Sequence, residues 1–196
     1  MPIHLLPELF LLIFAVGYSP GPANIYSLSC VLTHGRKKAM VAWFGLVCGW
    51  TVAALISVTA MHFVGMALSD YVVYIKYLGA AYMLYLSWKM LRSSVKEDAE
   101  DDSSCSFASG FIVQFTNAKM ILFELTVYSG FVLPYSDRFI DLLVVAALIF
   151  IAGPLANLLW LLVGSVISPL FKKYNKAVNI VMALALVCCA FMIALR

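Results

Sequence analysis

Six apolar stretches, near residues 5–32, 39–68, 71–91, 107–133, 139–166 and 177–195, take up almost the whole chain. Each is long enough to cross a bilayer as a helix. A soluble fold has no way to hide so much apolar surface: 64% of the 196 residues are hydrophobic, only 12% are charged, and the mean hydropathy is +0.97. The expectation is an all-α membrane protein of six transmembrane helices, one domain over residues 1–196, with no room for a separate soluble domain. The apolar run close to Met1 lacks the basic n-region of a signal peptide and carries Glu8 instead, so it reads as a retained first helix.

Polar clusters between the stretches set the orientation. Arg36, Lys37, Lys38, Lys89, Arg92, Lys96, Lys172, Lys173 and Lys176 fall in or beside alternate loops, whereas the opposite side holds little beyond Arg138 and Arg196. The positive-inside rule puts the basic loops in the cytoplasm and both termini outside. The acidic run Glu97, Asp98, Glu100, Asp101 and Asp102 has little weight in that rule and reads as a solvated linker. The net charge of +3 is spread over short loops, so it signals orientation and no nucleic-acid partner. Because the first and fourth spans enter from opposite faces, residues 1–92 and 107–196 have the topology of two inverted three-helix repeats joined by a cytoplasmic linker, 93–106.

Inside the first span stands Ser19-Pro20-Gly21-Pro22-Ala23-Asn24. Two prolines remove two backbone donors, so no unbroken helix passes through. In lipid such a break survives only where it is buried in protein or lines a wet cavity. A half-helix restarting near Pro22 would aim its positive dipole end at the membrane midplane, which suits a carboxylate. An inverted repeat predicts a counterpart in the fourth span, and Gln114-Phe115-Thr116-Asn117-Ala118-Lys119 interrupts that stretch.

Polar residues at membrane depth are the remaining candidates. Lysine near a helix centre costs about 2.5–3.5 kcal/mol on insertion scales, so Lys119 should face a polar interior or else snorkel to the cytoplasmic surface. Asn117 reads as a cap, a substrate contact or helix-helix glue. Asn24 follows the first break, and Asn157 follows Gly153-Pro154, which reads equally as a packing kink. Glu124 is a protonatable group one to two turns beyond Lys119, with a spacing that leaves direct pairing open. Glu8, Lys76 and His62 read as interfacial side chains. Trp43, Trp50, Trp88 and Trp160 read as anchors or packing and identify no cofactor. Gly45 to Gly49 suits close helix approach. Cys30, Cys48, Cys105, Cys188 and Cys189 show no CxxC spacing, so neither a metal site nor a disulfide framework is implied. His4, His34 and His62 are scattered, which argues against a membrane-embedded enzyme.

Taken together, Ser19 to Asn24, His34-Gly35-Arg36, Gly45 to Gly49 and Lys76-Tyr77-Leu78-Gly79-Ala80-Ala81-Tyr82-Met83-Leu84-Tyr85-Leu86 resemble the signature of the lysine exporter superfamily, its homoserine/threonine resistance branch in particular. The run Phe107 to Pro134 looks most like the subgroup exporting cysteine and O-acetylserine. Two departures stand out. Ala118 occupies a position where the family order Asn-Pro-Lys is usual, and Glu124 is not part of the family pattern.

The resemblance implies efflux of small amino acids across a bacterial inner membrane, driven by proton antiport, with no cofactor and with a homodimer as one possible assembly. Export of cysteine and O-acetylserine is the first expectation, and homoserine or threonine the alternative; a passive channel or structural subunit is a further one. The expected substrate site is Pro20, Gly21, Pro22, Asn24, Asn117, Lys119 and Asn157, with its carboxylate toward Lys119 and the helix end near Pro22, and its ammonium toward the asparagines and exposed carbonyls. Lys119 and Glu124 are the proton-coupling candidates. A net-neutral zwitterion exchanged for one inbound proton would draw about 2.3 kcal/mol per 100 mV from the membrane potential.

Overall fold

A computed structural model describes residues 2–67, 72–92 and 105–195 of the protein. The linker expected over 93–106 and its acidic run lie, apart from Cys105 and Ser106, outside the described residues, as does the side chain of Lys76. All regular structure among the described residues is helical. A short 3-10 turn, Ile3–Leu5, leads into α1 (Leu6–Gly17), followed by α2 (Pro22–Ala67), α3 (Val72–Arg92), α4 (Phe107–Phe115), α5 (Ala118–Val127), a π-helical turn (Tyr128–Val132) and α6 (Phe139–Ala194).

Local chemistry sets several boundaries. Ser106 caps α4 by accepting from Ser109 N at 3.1 Å, and Ser109 Oγ accepts from Ser106 N at 3.0 Å, a closed capping box. The loop expected at His34–Lys38 contracts to Gly35, whose φ of 77° and ψ of 169° only glycine adopts readily. There α2 reverses: Asn24 and Trp50 line one pocket, although in a straight helix they would be about 39 Å apart.

The second long run also doubles back. A straight helix of 56 residues would be about 84 Å long. Yet Ile193 lies against Gly130, with Cγ2 3.4 Å from where a Cβ would stand, and Phe139 is tethered to Val132 by seven residues, at most about 25 Å. The break expected at Ser168–Lys176 lies within this helical run, largely where side chains (164–172) are outside the described residues.

Packing follows the small residues. A Cβ on Gly45 would collide with the Phe107 carbonyl, and one on Gly110 with the Ala42 carbonyl, so α2 and α4 approach backbone to backbone. The main apolar core gathers Leu9, Leu12, Val58, Met83, Phe123, Phe131, Leu142, Ile149, Leu186 and Ile193 from α1, α2, α3, α5, the π-turn and both ends of α6. A second cluster, with Tyr26, Cys30, Ala42, Leu46 and Leu161, closes the α2–α4 side.

The outside is as apolar as the inside. Phe10, Phe44, Ile56, Phe63, Leu155 and Phe191 are all exposed, whereas Ser19, Asn24, Gln114, Asn117, Glu124 and Asn157 are buried. That inversion suits a lipid solvent, which has nothing to offer a polar group. Two stretches, Pro22–Gly65 and Phe139–Val163, meet the length and hydropathy of a span without reference to the others.

Candidate functional site

In an uninterrupted helix the carbonyls of Val16, Gly17, Tyr18 and Ser19 would each accept from the residue four positions on. Pro20 and Pro22 have no N–H, and the change of direction removes the other two donors. Side chains replace all four. Ser19 Oγ donates to Val16 O (2.9 Å), and Asn24 Nδ2 donates to Gly17 O (2.8 Å) and Ser19 O (2.9 Å). Trp160 Nε1, reaching from α6, donates to Tyr18 O at 3.2 Å. Each carbonyl freed by the break thus accepts a side-chain donor of the protein itself and keeps its second lone pair.

The second break, between α4 and α5, has no proline. Thr116 leaves the helix at φ −92°, ψ 7°, and Asn117 is extended at φ −73°, ψ 91° before α5 restarts at Ala118. The Thr116 hydroxyl bonds back to Ile112 O at 2.8 Å, and Asn117 N tightens onto Gln114 O at 3.1 Å. These local bonds compete with helix continuation. Asn117 is the cap position of α5 but makes no side-chain cap bond.

Lys119 joins the two breaks. From the second residue of α5 its Nζ donates to Ser19 Oγ at 2.8 Å and Ser19 O at 3.2 Å, across a sequence separation of 100. It lies over Gly21, with Nζ 3.0 Å from the point where a Cβ would stand. It makes no ion pair with Glu124.

Around this junction is a cavity of about 10 Å³, room for one water, lined by residues that include Gly21, Asn24, Asn117, Lys119 and Asn157, with Gln114, Trp50 and Met120. Pro20 and Pro22 shape the break without contributing to the lining. Lys119 is the one charged side chain among the lining residues. The N-termini of α2 and α5 meet there, adding two positive dipole ends.

Two acceptors complement that positive field. Asn24 Oδ1 and Asn117 Oδ1 are buried with no hydrogen-bond partner. The Asn24 orientation is set by its two carbonyl acceptors, which require the NH₂ end, so its oxygen is the end left without a partner. The arrangement offers positive charge to an anion and unmatched oxygens to a cation.

Glu124 is buried outside this lining, with Ser57 and Trp50 beside its carboxyl and Tyr128 close by. Trp50 and Trp160, which by sequence read as anchors or packing, line the cavity and hold the first break respectively. The signals were present: Leu46, Trp50, Ala54, Ser57 and Met61 form one buried helical face that carries a serine, and Trp160 follows Asn157 by three. His62 Nδ1 meets the Asp137 carbonyl at 3.1 Å at the far end of α2, away from the site.

The LysE type translocator family matches residues 14–196 of the chain. The cysteine/O-acetylserine efflux protein of Escherichia coli (strain K12) is 34% identical over 172 residues, covering 88% of both chains. The proteins of the same name from Escherichia coli O157:H7 and Shigella flexneri serotype 5b (strain 8401) match with the same identity and coverage. No solved structure matches.

Proposed function

Because the chain belongs to the LysE type translocator family, a family of transporters and not of enzymes, we propose that it exports small amino acids, cysteine and O-acetylserine first among them, in exchange for protons. The observation that carries this reading is the cavity between the two breaks, where Lys119 and two helix N-termini stand opposite the unpartnered oxygens of Asn24 and Asn117. A zwitterion satisfies both halves: its carboxylate replaces Ser19 as the partner of Lys119, and its ammonium donates to the asparagine oxygens. Cysteine and O-acetylserine are what the similar efflux proteins are named for.

The cavity holds about one water, so an amino acid enters only as the breaks part. In this reading residues 1–92 and 107–196 are inverted repeats that rock against each other in the inner membrane, with both termini outside. Lys119 is held by hydrogen bonds that a carboxylate outcompetes, and Glu124 carries the proton. Pro20, Gly21 and Pro22 keep the first break open; Asn157 completes the wall from α6.

The test is a proteoliposome assay with radiolabelled cysteine, O-acetylserine, threonine, homoserine and lysine under an imposed proton gradient. Saturable, gradient-dependent movement of cysteine or O-acetylserine is expected. Preference for homoserine or threonine would move the substrate within the family, and no gradient-dependent flux of any of the five would overturn the exporter reading.

A further inference from the structure

One side chain touches both the cavity and the buried carboxyl. Trp50 is 3% exposed, and its ring forms part of the cavity wall. Its indole N–H faces Glu124, which is 2% exposed and has Ser57 on its other side. Despite this proximity, Trp50 Nε1 has no acceptor and Glu124 Oε2 no donor within hydrogen-bonding geometry. The nearby Tyr128 hydroxyl is also buried without a partner. Donors and an acceptor that complement one another thus stand together unbonded, an arrangement that a low-dielectric interior penalises.

A protonated carboxyl and a carboxylate make different demands on these donors. The carboxylate accepts several strong bonds and draws them in; the neutral acid asks for less. The ring of Trp50 has little freedom to answer that pull without effect elsewhere. Its six-membered edge lies so close to Gly153 that a Cβ there would overlap Cη2 and Cζ3. Rotation that brings Nε1 onto Glu124 therefore shifts the edge that walls the cavity.

We propose that Trp50 is the positioning residue that couples the proton on Glu124 to substrate in the cavity. When the proton leaves Glu124 for cytoplasmic water, the indole N–H closes on the carboxylate and the ring edge moves relative to Asn24, Asn117 and Gly153. When Glu124 is reprotonated, the ring returns. Of the elements packed on α5, α2 brings Trp50 and Ser57, the π-turn brings Tyr128, and α3 brings Tyr82 to the shared core. Lys119, on α5 itself, faces the cavity. Trp50 thus neighbours both the cavity that Lys119 lines and the Glu124 carboxyl. This inference rests on the exporter reading above and names the part that links its two sites.

The experiment compares wild type, Trp50→Phe, Glu124→Gln, the double variant and Gly153→Ala in proteoliposomes, with O-acetylserine as probe. Gradient-driven export is measured across external and internal pH, and gradient-free exchange in parallel. Trp50→Phe keeps a ring but loses the N–H. It is expected to lower the ratio of driven export to exchange roughly fivefold to hundredfold, the usual range for coupling between sites, and to flatten the pH profile as Glu124→Gln does. The double variant should be no worse than either single one. Gly153→Ala, which pushes the ring from the opposite side, should uncouple in the same way with the indole intact, so it carries the test if Trp50→Phe fails to insert. A wild-type pH profile and ratio in Trp50→Phe or in Gly153→Ala, or multiplied losses in the double variant, would overturn the role of Trp50. Absence of exchange by the wild-type protein would overturn the exporter reading beneath it.

Discussion

Replacing Lys119 by methionine separates holding the fold from holding a carboxylate. The fold should tolerate it. Lys119 Nζ gives two hydrogen bonds, both to Ser19, and each acceptor keeps another partner: Ser19 O still receives Asn24 Nδ2 at 2.9 Å, and Ser19 Oγ still donates to Val16 O at 2.9 Å. No buried group is orphaned, and the cost of desolvating an ammonium disappears, so the two effects oppose each other and the net change should stay within about 1.5 kcal/mol. Binding has no such compensation. Truncating one partner of a buried charged pair costs about 2–5 kcal/mol. Lys119 Nζ already has Ser19 Oγ and Ser19 O as partners without substrate, so a carboxylate gains only the difference, which places the expectation at the low end, about 2 kcal/mol or roughly thirtyfold in Kd. The assay is equilibrium binding of O-acetylserine to purified protein, with a thermal melt of the same sample. A Kd within about threefold of wild type in a stable Lys119→Met protein would refute the carboxylate role. A collapsed melt with an intact wild-type control would refute the bond accounting at Ser19.

Three further outcomes follow from the same geometry. Asn24→Ala leaves the Gly17 carbonyl without its donor, so it should destabilise the protein by about 1–3 kcal/mol, visible as a lower melting temperature that Lys119→Met does not show. Ala118→Pro should fold and transport normally: position 118 opens α5, where a proline's missing N–H costs nothing, and Asn117 already has the extended backbone that precedes proline; a melting temperature below wild type would contradict this. Gly35→Ala forces a side chain into a glycine-only backbone region at φ 77° and should cost about 1–3 kcal/mol in denaturation, although nothing lies within 4 Å of the added Cβ. An unchanged melt would show that the reversal in α2 does not depend on that conformation.

The two breaks differ in how far they could be read. Pro20 and Pro22 announce theirs because a missing N–H is a property of the residue itself and holds in any surrounding. Thr116 and Asn117 make theirs by side-chain and backbone bonds to Ile112 and Gln114, a competition with the helix that either side can win. An alanine at position 118 thus left the outcome open, and the break is present all the same. The apolar stretches were legible because bilayer thickness sets a length that composition must meet. Their ends were less so. Gly35 reverses α2 within one residue where a five-residue polar cluster suggested a loop.

What the sequence determined alone is local: apolar lengths, the donors that proline removes, and the depth of Lys119 and Glu124 in their stretches. Which partner answers each freed group was decided only by the tertiary structure. Trp160 meets Tyr18 across 142 positions and Lys119 meets Ser19 across 100, distances over which spacing carries no signal. Trp50 is the clearest case: apolar in composition, it reads as packing until the fold sets its ring on Gly153 and its N–H toward Glu124. The reason is physical. A helix period shows which side chains share a face, whereas the group that face meets depends on how the helices cross, and that is fixed by packing among residues far apart in the chain.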